Sequence, residues 1–318
     1  MIIVTGGAGF IGSNLVRGLN TAGRNDLLIV DNLTNGAKFR NLVDCDFLDY
    51  MDKQDFLQHM LDHDLPYKDI DLVFHQGACS RTTEWDGRYM MQNNYEYSKR
   101  VLEFCEDRAI PFIYASSAAV YGTGTDFSER TENEQPVNMY AYSKFLFDQY
   151  IRKTREDSAI RIIGLRYFNV YGPGEAHKQD MASVAYHLDR QLQNSECVRL
   201  FKGCDGYGDG EQRRDFIHVD DIVAVNLWCM QDSAPSGIYN VGTGVSRSFN
   251  DVANEIIRFH GHGRIEYIDF PEHLSGSYQS FTEADLTSLR NAGYSGDFKS
   301  LEEGITGYLK RLAGAQAR

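Results

Sequence analysis

The sequence has no CxxC pair. Its six cysteines, at 45, 79, 105, 197, 204 and 229, are scattered, which argues against a disulfide framework and against a zinc site, so no metal is expected. No apolar run approaches the ~20 residues a membrane helix needs, so no membrane partner is expected either. Nothing before Val4 has room for a signal peptide, because a buried strand is expected from residue 2, and the expected location is the cytoplasm. Positive charge is scarce: 32 Lys and Arg stand against 45 Asp and Glu, a formal net charge of −13. That balance speaks against a nucleic-acid partner, whose backbone takes a basic surface, while leaving room for a local basic pocket for a phosphorylated small molecule. No repeat or low-complexity linker interrupts the 318 residues, a length that allows a large core and two lobes.

What is there begins at the first dozen residues. Ile2, Ile3 and Val4 form the short apolar run of a strand buried on both faces. The chain then turns through Gly6, Gly7, Gly9 and Gly12, and an apolar-periodic segment, Phe10 to Leu19 with Ile11 in its first turn, predicts a helix. Strand, glycine turn and helix make half of a βαβ unit. The glycines allow a tight turn and a close backbone approach to a pyrophosphate, which then meets the unpaired N–H groups of the helix N-terminus. A second strand, Leu27 to Val30, ends in Asp31-Asn32, about 20 residues past the glycines, where a ribose-binding acid is expected. A carboxylate there favours NAD by repelling a 2′-phosphate. Lys38, in the loop just beyond, can neutralise that phosphate, and Lys53 can sit over the adenine end; the expectation is NADP, with NAD as the alternative.

Further along, a buried strand at Asp71–His75 opens into Gln76-Gly77-Ala78-Cys79-Ser80, the kind of small-residue strand end a doubly wound sheet presents to its ligand. A long helix is expected from about Glu84 to Arg108, with Asn93 and Asn94 in its middle, either solvated or bracing the site. The strand from Pro111 ends in Ser116-Ser117, and a helix beginning near Asn138 carries Tyr140 and Lys144 one turn apart on one face. Another strand, Arg161 to Val170, leads into Tyr171-Gly-Pro-Gly174. This β–α alternation is the signature of an α/β fold, a Rossmann-type doubly wound parallel sheet. Beyond Gly172 come a helix near Met181–Asn194, a strand at Val198–Phe201, a hairpin loop over Gly203–Glu211, one strand over Arg214–Val219 and a helix from there to Gln231. Gly237–Gly242 reads as a strand returning to the first lobe. Helices near Ser248–His260, Glu283–Ala292 and Leu301–Leu312, with a strand at Ile265–Phe270, complete a smaller C-terminal α/β lobe. The expected division is 1–171 with 214–246 for the dinucleotide, and 172–213 with 247–318 for the substrate. His260 and His262 are expected at the surface.

The combination that carries chemistry is Tyr140-x-x-x-Lys144 behind a serine pair. A free phenol has a pKa near ~10 and is a poor base at neutral pH. An ammonium one turn away, together with a positive nicotinamide ring, favours the phenolate, while a serine hydroxyl steadies the substrate oxygen. Lys144 can also hold the nicotinamide ribose. The residues alone do not decide between Ser116 and Ser117.

Together, Thr5–Gly12, His75-Gln-Gly-Ala78, Ser116–Gly122, Tyr140-x-x-x-Lys144, Arg166–Pro173 and Arg214–Asp221 resemble the extended short-chain dehydrogenase/reductase family, whose members mostly act on nucleotide-activated sugars. The segments Cys79–Met91, Gly174–Lys178 before Met181–His187, and Tyr278–Leu286 are similar to the ADP-heptose 6-epimerases of that family. This resemblance implies Tyr140 and Lys178 as the two acid/base groups and Lys144 as the tyrosine's partner. It places Asn93 and Val170 at the cofactor. It implies a substrate pocket drawn from Asn169, Asp180, His187, Phe201, Lys202, Gly203, Cys204, Arg214 and Tyr278. Gln76 stands where an acid is usual, Asp180 where a serine is usual, and the 205–211 loop is longer than typical. The implied partners are an ADP-heptose substrate and other copies of the chain, a pentamer among the expected homo-oligomers. The expected activity is inversion of C6 of the heptose with a tightly bound cofactor, for lipopolysaccharide core. Alternatives are another nucleotide-sugar epimerase, dehydratase or reductase, or a non-catalytic NADP sensor on the same fold, for which a tuned phenol has no use.

Overall fold

The computed structural model describes residues 1–271 and 278–316. In chain order the first elements are β1 (Ile2–Thr5), α1 (Phe10–Thr21), β2 (Leu27–Asp31), β3 (Asp49–Asp52), α2 (Lys53–Asp62), β4 (Leu72–His75), α3 (Gly87–Met90), α4 (Tyr97–Asp107), β5 (Phe112–Ser117), α5 (Met139–Thr154) and β6 (Ile162–Tyr167). After them come β7 (Asn169–Tyr171), α6 (Val184–Asn194), β8 (Cys197–Phe201), β9 (Arg213–Arg214), β10 (Phe216–His218), α7 (Val219–Cys229) and β11 (Gly237–Val241). The last are β12 (Arg247–Ser248), α8 (Phe249–His260), β13 (Arg264–Ile268), α9 (Thr287–Asn291) and α10 (Leu301–Gln316).

Seven strands form one parallel sheet in the order β11-β6-β5-β4-β1-β2-β3. Helices cover both faces, which is why β1 is apolar throughout instead of alternating. Ile2 and Val4 face a core with Leu15 and Leu19 of α1 and Ile222 and Val225 of α7. Ile3 points the other way, toward Phe56 of α2, Val101 of α4 and Phe147 of α5. The strand order reverses between β1 and β4, so the crevice at their C-terminal ends is the switch point where such sheets bind ligands. A third core unites Leu188 and Leu192 of α6, Val198 and Leu200 of β8, Ile256 of α8, and Ile305 and Leu309 of α10.

Several expectations need correction. The helix expected over 84–108 is two α-helices joined by a π-helical turn, Met91–Glu96. There is no hairpin over 203–211: β8 pairs in parallel with β13, and β9 pairs antiparallel with β12. The single strand expected over 214–219 breaks at Asp215, a fully buried carboxylate that accepts N–H bonds from Thr243 at 2.7 Å, Gly244 at 2.9 Å and Ala284 at 3.0 Å. Those bonds pull the chain out of register and leave β10 to pair with β7. Helix α6 begins at Val184, not Met181, because the Ser183 side chain caps it through Tyr186 N. Helix α9 spans only Thr287–Asn291 of the expected 283–292. The pair β3 and α2 has no counterpart in the sequence reading; β3 is a polar edge strand, Asp-Tyr-Met-Asp, without an apolar run to mark it. The returning strand, β11, lies at the sheet edge beside β6.

Candidate active site

Residues from both parts of the chain line one cleft of about 590 Å³ over the β1–β4 switch point. At its floor the glycine turn is forced by contact. Gly6 sits at φ 69°, and a Cβ on Gly12 would meet the Gly6 carbonyl oxygen at 2.1 Å. Helix α1 starts from Gly9 with no side-chain cap, so its first N–H groups face the cleft. This cradle, with Lys38 and Lys53 on its rim, fits a phosphate-bearing dinucleotide.

Asp31 is buried, and both its oxygens are engaged: Oδ2 accepts from Ala8 N at 2.8 Å, while Oδ1 accepts from Asn32 N at 2.7 Å and pairs with Lys38 Nζ. Lys38 also donates to the Asn32 carbonyl at 2.9 Å. Lys53 Nζ donates to Asn93 Oδ1 at 2.7 Å, and its partial burial lowers its pKa from the ordinary lysine value. The π-helical turn explains the paired asparagines. Asn94 Oδ1 accepts from Cys79 N at 2.8 Å, and its Nδ2 donates to Cys79 O at 2.9 Å and to Ser143 Oγ at 3.0 Å, tying the Gln76–Ser80 loop to α5. His75 is buried between Thr5 Oγ1 at 2.7 Å and Ser98 Oγ at 2.8 Å, and burial pushes its pKa down to about 3. Gln76 bonds Tyr167 and Asn226 through its neutral amide.

Asn138 caps α5 through Ala141 N at 2.8 Å, and this sets the phase of Tyr140 and Lys144 on the cleft side. The two serines separate. Ser116 Oγ donates to the buried Asp148 at 2.8 Å. Ser117 Oγ accepts from Ala119 N at 3.2 Å and hydrogen-bonds Tyr140. Lys144 is buried with Nζ donating to the Ala115 carbonyl at 2.7 Å; desolvation lowers its pKa to about 8, with Asp148 pulling it back up. Tyr140 is a correction. Its phenol is raised above the ordinary value, because burial outweighs the Ser117 hydrogen bond that lowers it.

Lys178, which also lines the cleft, rides a 3₁₀ turn, Ala176–Met181, that is kinked by Gln179 at φ 52°. Its ammonium lies 5.4 Å from the Phe10 ring centroid, and burial lowers its pKa while Glu175 raises it. The cleft thus gathers Gly6, Gly9, Phe10, Ile11, Gly12, Asp31, Asn32, Lys38, Lys53, the Gln76–Ser80 loop, Asn93, Ser116, Ser117, Tyr140, Lys144, Asn169, Val170 and Lys178.

Asp180, His187, Phe201, Lys202, Gly203, Cys204, Arg214 and Tyr278 do not line it. Asp180 is exposed, just past the kink. Lys202 is an exposed lysine paired with Asp269 at 2.8 Å. His187 packs edge-on to Tyr186. Arg214 is buried with its guanidinium 4.8 Å from the Tyr278 ring and 5.7 Å from the ring of Phe249, which does line the cleft. The cluster therefore adjoins the cleft through Phe249. Phe249 has no local sequence signal, being brought in by distant chain, whereas Gln279 lies in the Tyr278–Leu286 motif. His177, Thr82 and Tyr89 also line the cleft and lay within recognisable motifs. Among the described residues no His, Cys, Asp and Glu group is placed to hold a metal, and no helix is long and apolar enough to cross a membrane. His260 is half-buried against Asp189 at 2.9 Å.

The sequence model of the NAD dependent epimerase/dehydratase family matches residues 2–242. The chain belongs to that family. A protein of Alkalilimnicola ehrlichii named ADP-L-glycero-D-manno-heptose-6-epimerase is 57% identical over 317 residues, covering 100% of this chain and 99% of that one. The crystal structure of the enzyme of the same name from Helicobacter pylori superposes with a TM-score of 0.85 at 30% identity, covering 98% of this chain and 96% of that one. MoeE5 in complex with UDP-glucose and NAD superposes with a TM-score of 0.79 at 25% identity, with 99% of each chain covered. In this epimerase/dehydratase, then, a nicotinamide dinucleotide is the resident cofactor, and the switch-point crevice is where the family's fold seats it.

Proposed function

We propose that this protein is an ADP-heptose 6-epimerase that inverts C6 of ADP-D-glycero-β-D-manno-heptose to the L-glycero form, for lipopolysaccharide core. The observation that carries the reading is a single cleft lined both by Tyr140 with Ser117 and by Lys178, in a chain alike over its whole length to an enzyme of that name. A bound nicotinamide, held in the glycine-turn cradle with Lys38 and Lys53 on its rim, would supply reversible hydride transfer at the sugar carbon. Tyr140, as the phenolate that the positive nicotinamide ring of the bound cofactor would favour, accepts the hydroxyl proton in one sugar pose, with the Ser117 hydroxyl beside it. Lys178 donates or accepts the proton in the other. One base cannot reach both positions of an oxygen that swings across the site, so a group is needed on either wall. Ser116, bonded to Asp148, fixes the strand end and does not take part.

NADP is the proposed dinucleotide. Both Asp31 oxygens are already taken by main-chain N–H groups and by Lys38, so the carboxylate is neutralised and less available to a ribose hydroxyl, and the Lys38 ammonium beside it is suited to pair with a 2′-phosphate. The Arg214–Tyr278 cluster, a stacked cation adjoining the cleft through Phe249, is the proposed seat of the sugar nucleotide's charged end. We place the protein in the cytoplasm as a homo-oligomer, as the family resemblance implies. The test is the product of purified protein on ADP-D-glycero-β-D-manno-heptose, resolved by chromatography. The L-glycero epimer with no net change in nucleotide redox state is expected; unchanged substrate, or a dehydrated or reduced sugar, overturns the reading.

A further inference from the structure

The 172–183 loop that carries Lys178 is fastened to the opposite rim of the dinucleotide cradle by side chains the reaction does not use. Asn41 is the hub. It is 8% exposed, and its Nδ2 lies 3.1 Å from the Ala8 carbonyl in the glycine turn, 3.1 Å from the Gly174 carbonyl and 3.2 Å from His177 Nδ1. His177 Nδ1 is also 3.0 Å from the Gly174 carbonyl, so the ring donates to that oxygen in one tautomer and accepts from Asn41 in the other. Two further asparagines reinforce the seam: Asn14 Nδ2 donates to Pro173 O at 2.8 Å and Asn35 Nδ2 to His177 O at 3.2 Å. Asn41 is itself tied to α1, since Arg17 donates to its carbonyl at 2.8 Å. Asn35 and Asn41 flank Lys38, the residue proposed for the 2′-phosphate, while His177 immediately precedes Lys178.

We propose that Asn41 and His177 form a clasp that closes the 172–183 loop over the dinucleotide, so that holding the cofactor and positioning Lys178 are one mechanical event. The glycine turn and Phe10 lie beneath the loop, with Lys178 above the Phe10 ring. A dinucleotide in the cradle cannot leave past this loop while Asn41 bridges Ala8 to Gly174. Opening the bridge removes the anchor one turn from Lys178. Asn41 and His177 are therefore positioning residues, and the proposal rests on the epimerase reading only for what Lys178 does.

The experiment compares the parent protein with Asn41→Ala and His177→Ala, each loaded with NADPH. Release is followed as loss of protein-bound nicotinamide fluorescence during a chase with excess NADP⁺. Lys178 accessibility is followed by a brief pulse of amine acylation and peptide mass spectrometry. Loss of one or two neutral hydrogen bonds corresponds to roughly a tenfold faster release, and Lys178 labelling should rise with it in both variants. With nucleotide kept saturating, kcat should stay depressed while KM for the sugar nucleotide moves little, which a defect in retention alone would not produce. The clasp is overturned if release quickens while Lys178 labelling stays at the parent level, if labelling rises with release unchanged, or if neither moves. His177 is only half-buried, so its variant keeps the test open should Asn41→Ala fail to fold. Failure of the epimerase reading shows separately, as no turnover of ADP-heptose by the unaltered protein, and leaves both rates measurable.

Discussion

Replacing Lys38 by alanine should reverse the choice of dinucleotide. Lys38 stands between two negative charges, the Asp31 carboxylate it already pairs with and the 2′-phosphate it is proposed to meet. Removing it deletes a charge-assisted hydrogen bond to phosphate, of the kind that contributes about 1.5–3 kcal/mol. It also leaves Asp31 facing the phosphate unscreened. Two like charges ~5 Å apart at an effective dielectric of about 20 repel by roughly 3 kcal/mol, an upper figure for so open a rim. The two effects share one site and do not add in full, so NADP should weaken by ~10²–10³-fold. NAD carries no phosphate there. Its affinity should hold or improve, because Asp31 is then free to accept from the ribose hydroxyls. Titrating NADPH and NADH against parent and variant by nicotinamide fluorescence gives the ratio directly, and Asp31→Asn added to Lys38→Ala should recover part of the NADP loss. If the NADPH to NADH preference in Lys38→Ala stays within about threefold of the parent, the phosphate is bound elsewhere and the assignment of this rim is wrong.

Tyr140→Phe should lower epimerisation by ~10²–10⁴-fold, the scale of one acid/base group, with nucleotide still bound; more than half the activity remaining would show that the phenol is not a base. Lys178→Met should be as damaging to epimerisation as Tyr140→Phe, measured by the same chromatographic assay, and normal turnover would leave Lys178 a mere loop lysine. In the proposed mechanism Lys144 works as an ammonium, and burial lowers its pKa to about 8, so turnover should hold below that pH and fall as pH rises through it; a flat profile to pH 10 would argue against this role. His75 stays neutral down to about pH 3, whereas in the unfolded chain it protonates at its ordinary value of 6.5. The unfolded state therefore binds the extra proton as pH falls from 6.5, and stability should decline by at most ~1.4 kcal/mol per unit, a slope that His75→Gln should flatten in urea titrations.

Where the sequence was readable, the constraint was local. Gly6 and Gly12 are required by contacts within one turn, and Tyr140 and Lys144 share a face because four residues make about one turn of any helix. Ser116 and Ser117 were not separable, because neighbours on a strand point to opposite faces and both faces of β5 are covered. Only the position of α5 shows that Ser116 meets Asp148 and Ser117 meets Tyr140. The π-helical turn was equally hidden: it takes one extra residue into a helix without changing composition, yet it swings Asn94 inward to hold Cys79. The small two-stranded sheets depend on partners far apart in the chain. β8 meets β13 and β9 meets β12, so the stretch Val198–Phe201 announced a strand without saying what it would pair with.

The two walls of the cleft are held by opposite kinds of structure. Tyr140, Lys144 and Asp148 follow one another at four-residue spacing on α5, and Asp148 accepts from Tyr114 at 2.9 Å and Ser116 at 2.8 Å while pairing with the fully buried Arg166 at 2.9 Å. A charged network with that many partners resists displacement, since moving any member strands a buried charge. Lys178 is backed differently: the buried Glu175 ties its loop to itself, accepting from Gly172 N at 3.2 Å and from Ser183 Oγ at 2.8 Å, and no charged pair of that kind reaches across to the cradle among the described residues. Lys178 sits on a kinked 3₁₀ turn whose links to the cradle are neutral side-chain amide bonds, each worth about 1 kcal/mol. The asymmetry suits the chemistry. The cofactor and the first base need a fixed geometry, while a sugar that must present both faces needs one wall that can give. Substitutions around Asp148 should therefore register first as lost stability, and substitutions along the Asn14–Asn35–Asn41 seam as lost turnover in a protein that melts where the parent does. Paired thermal melts and epimerisation rates for Asp148→Asn and Asn35→Ala would separate the two; a seam variant that loses stability and activity in proportion would show that the loop is as rigidly built as the helix.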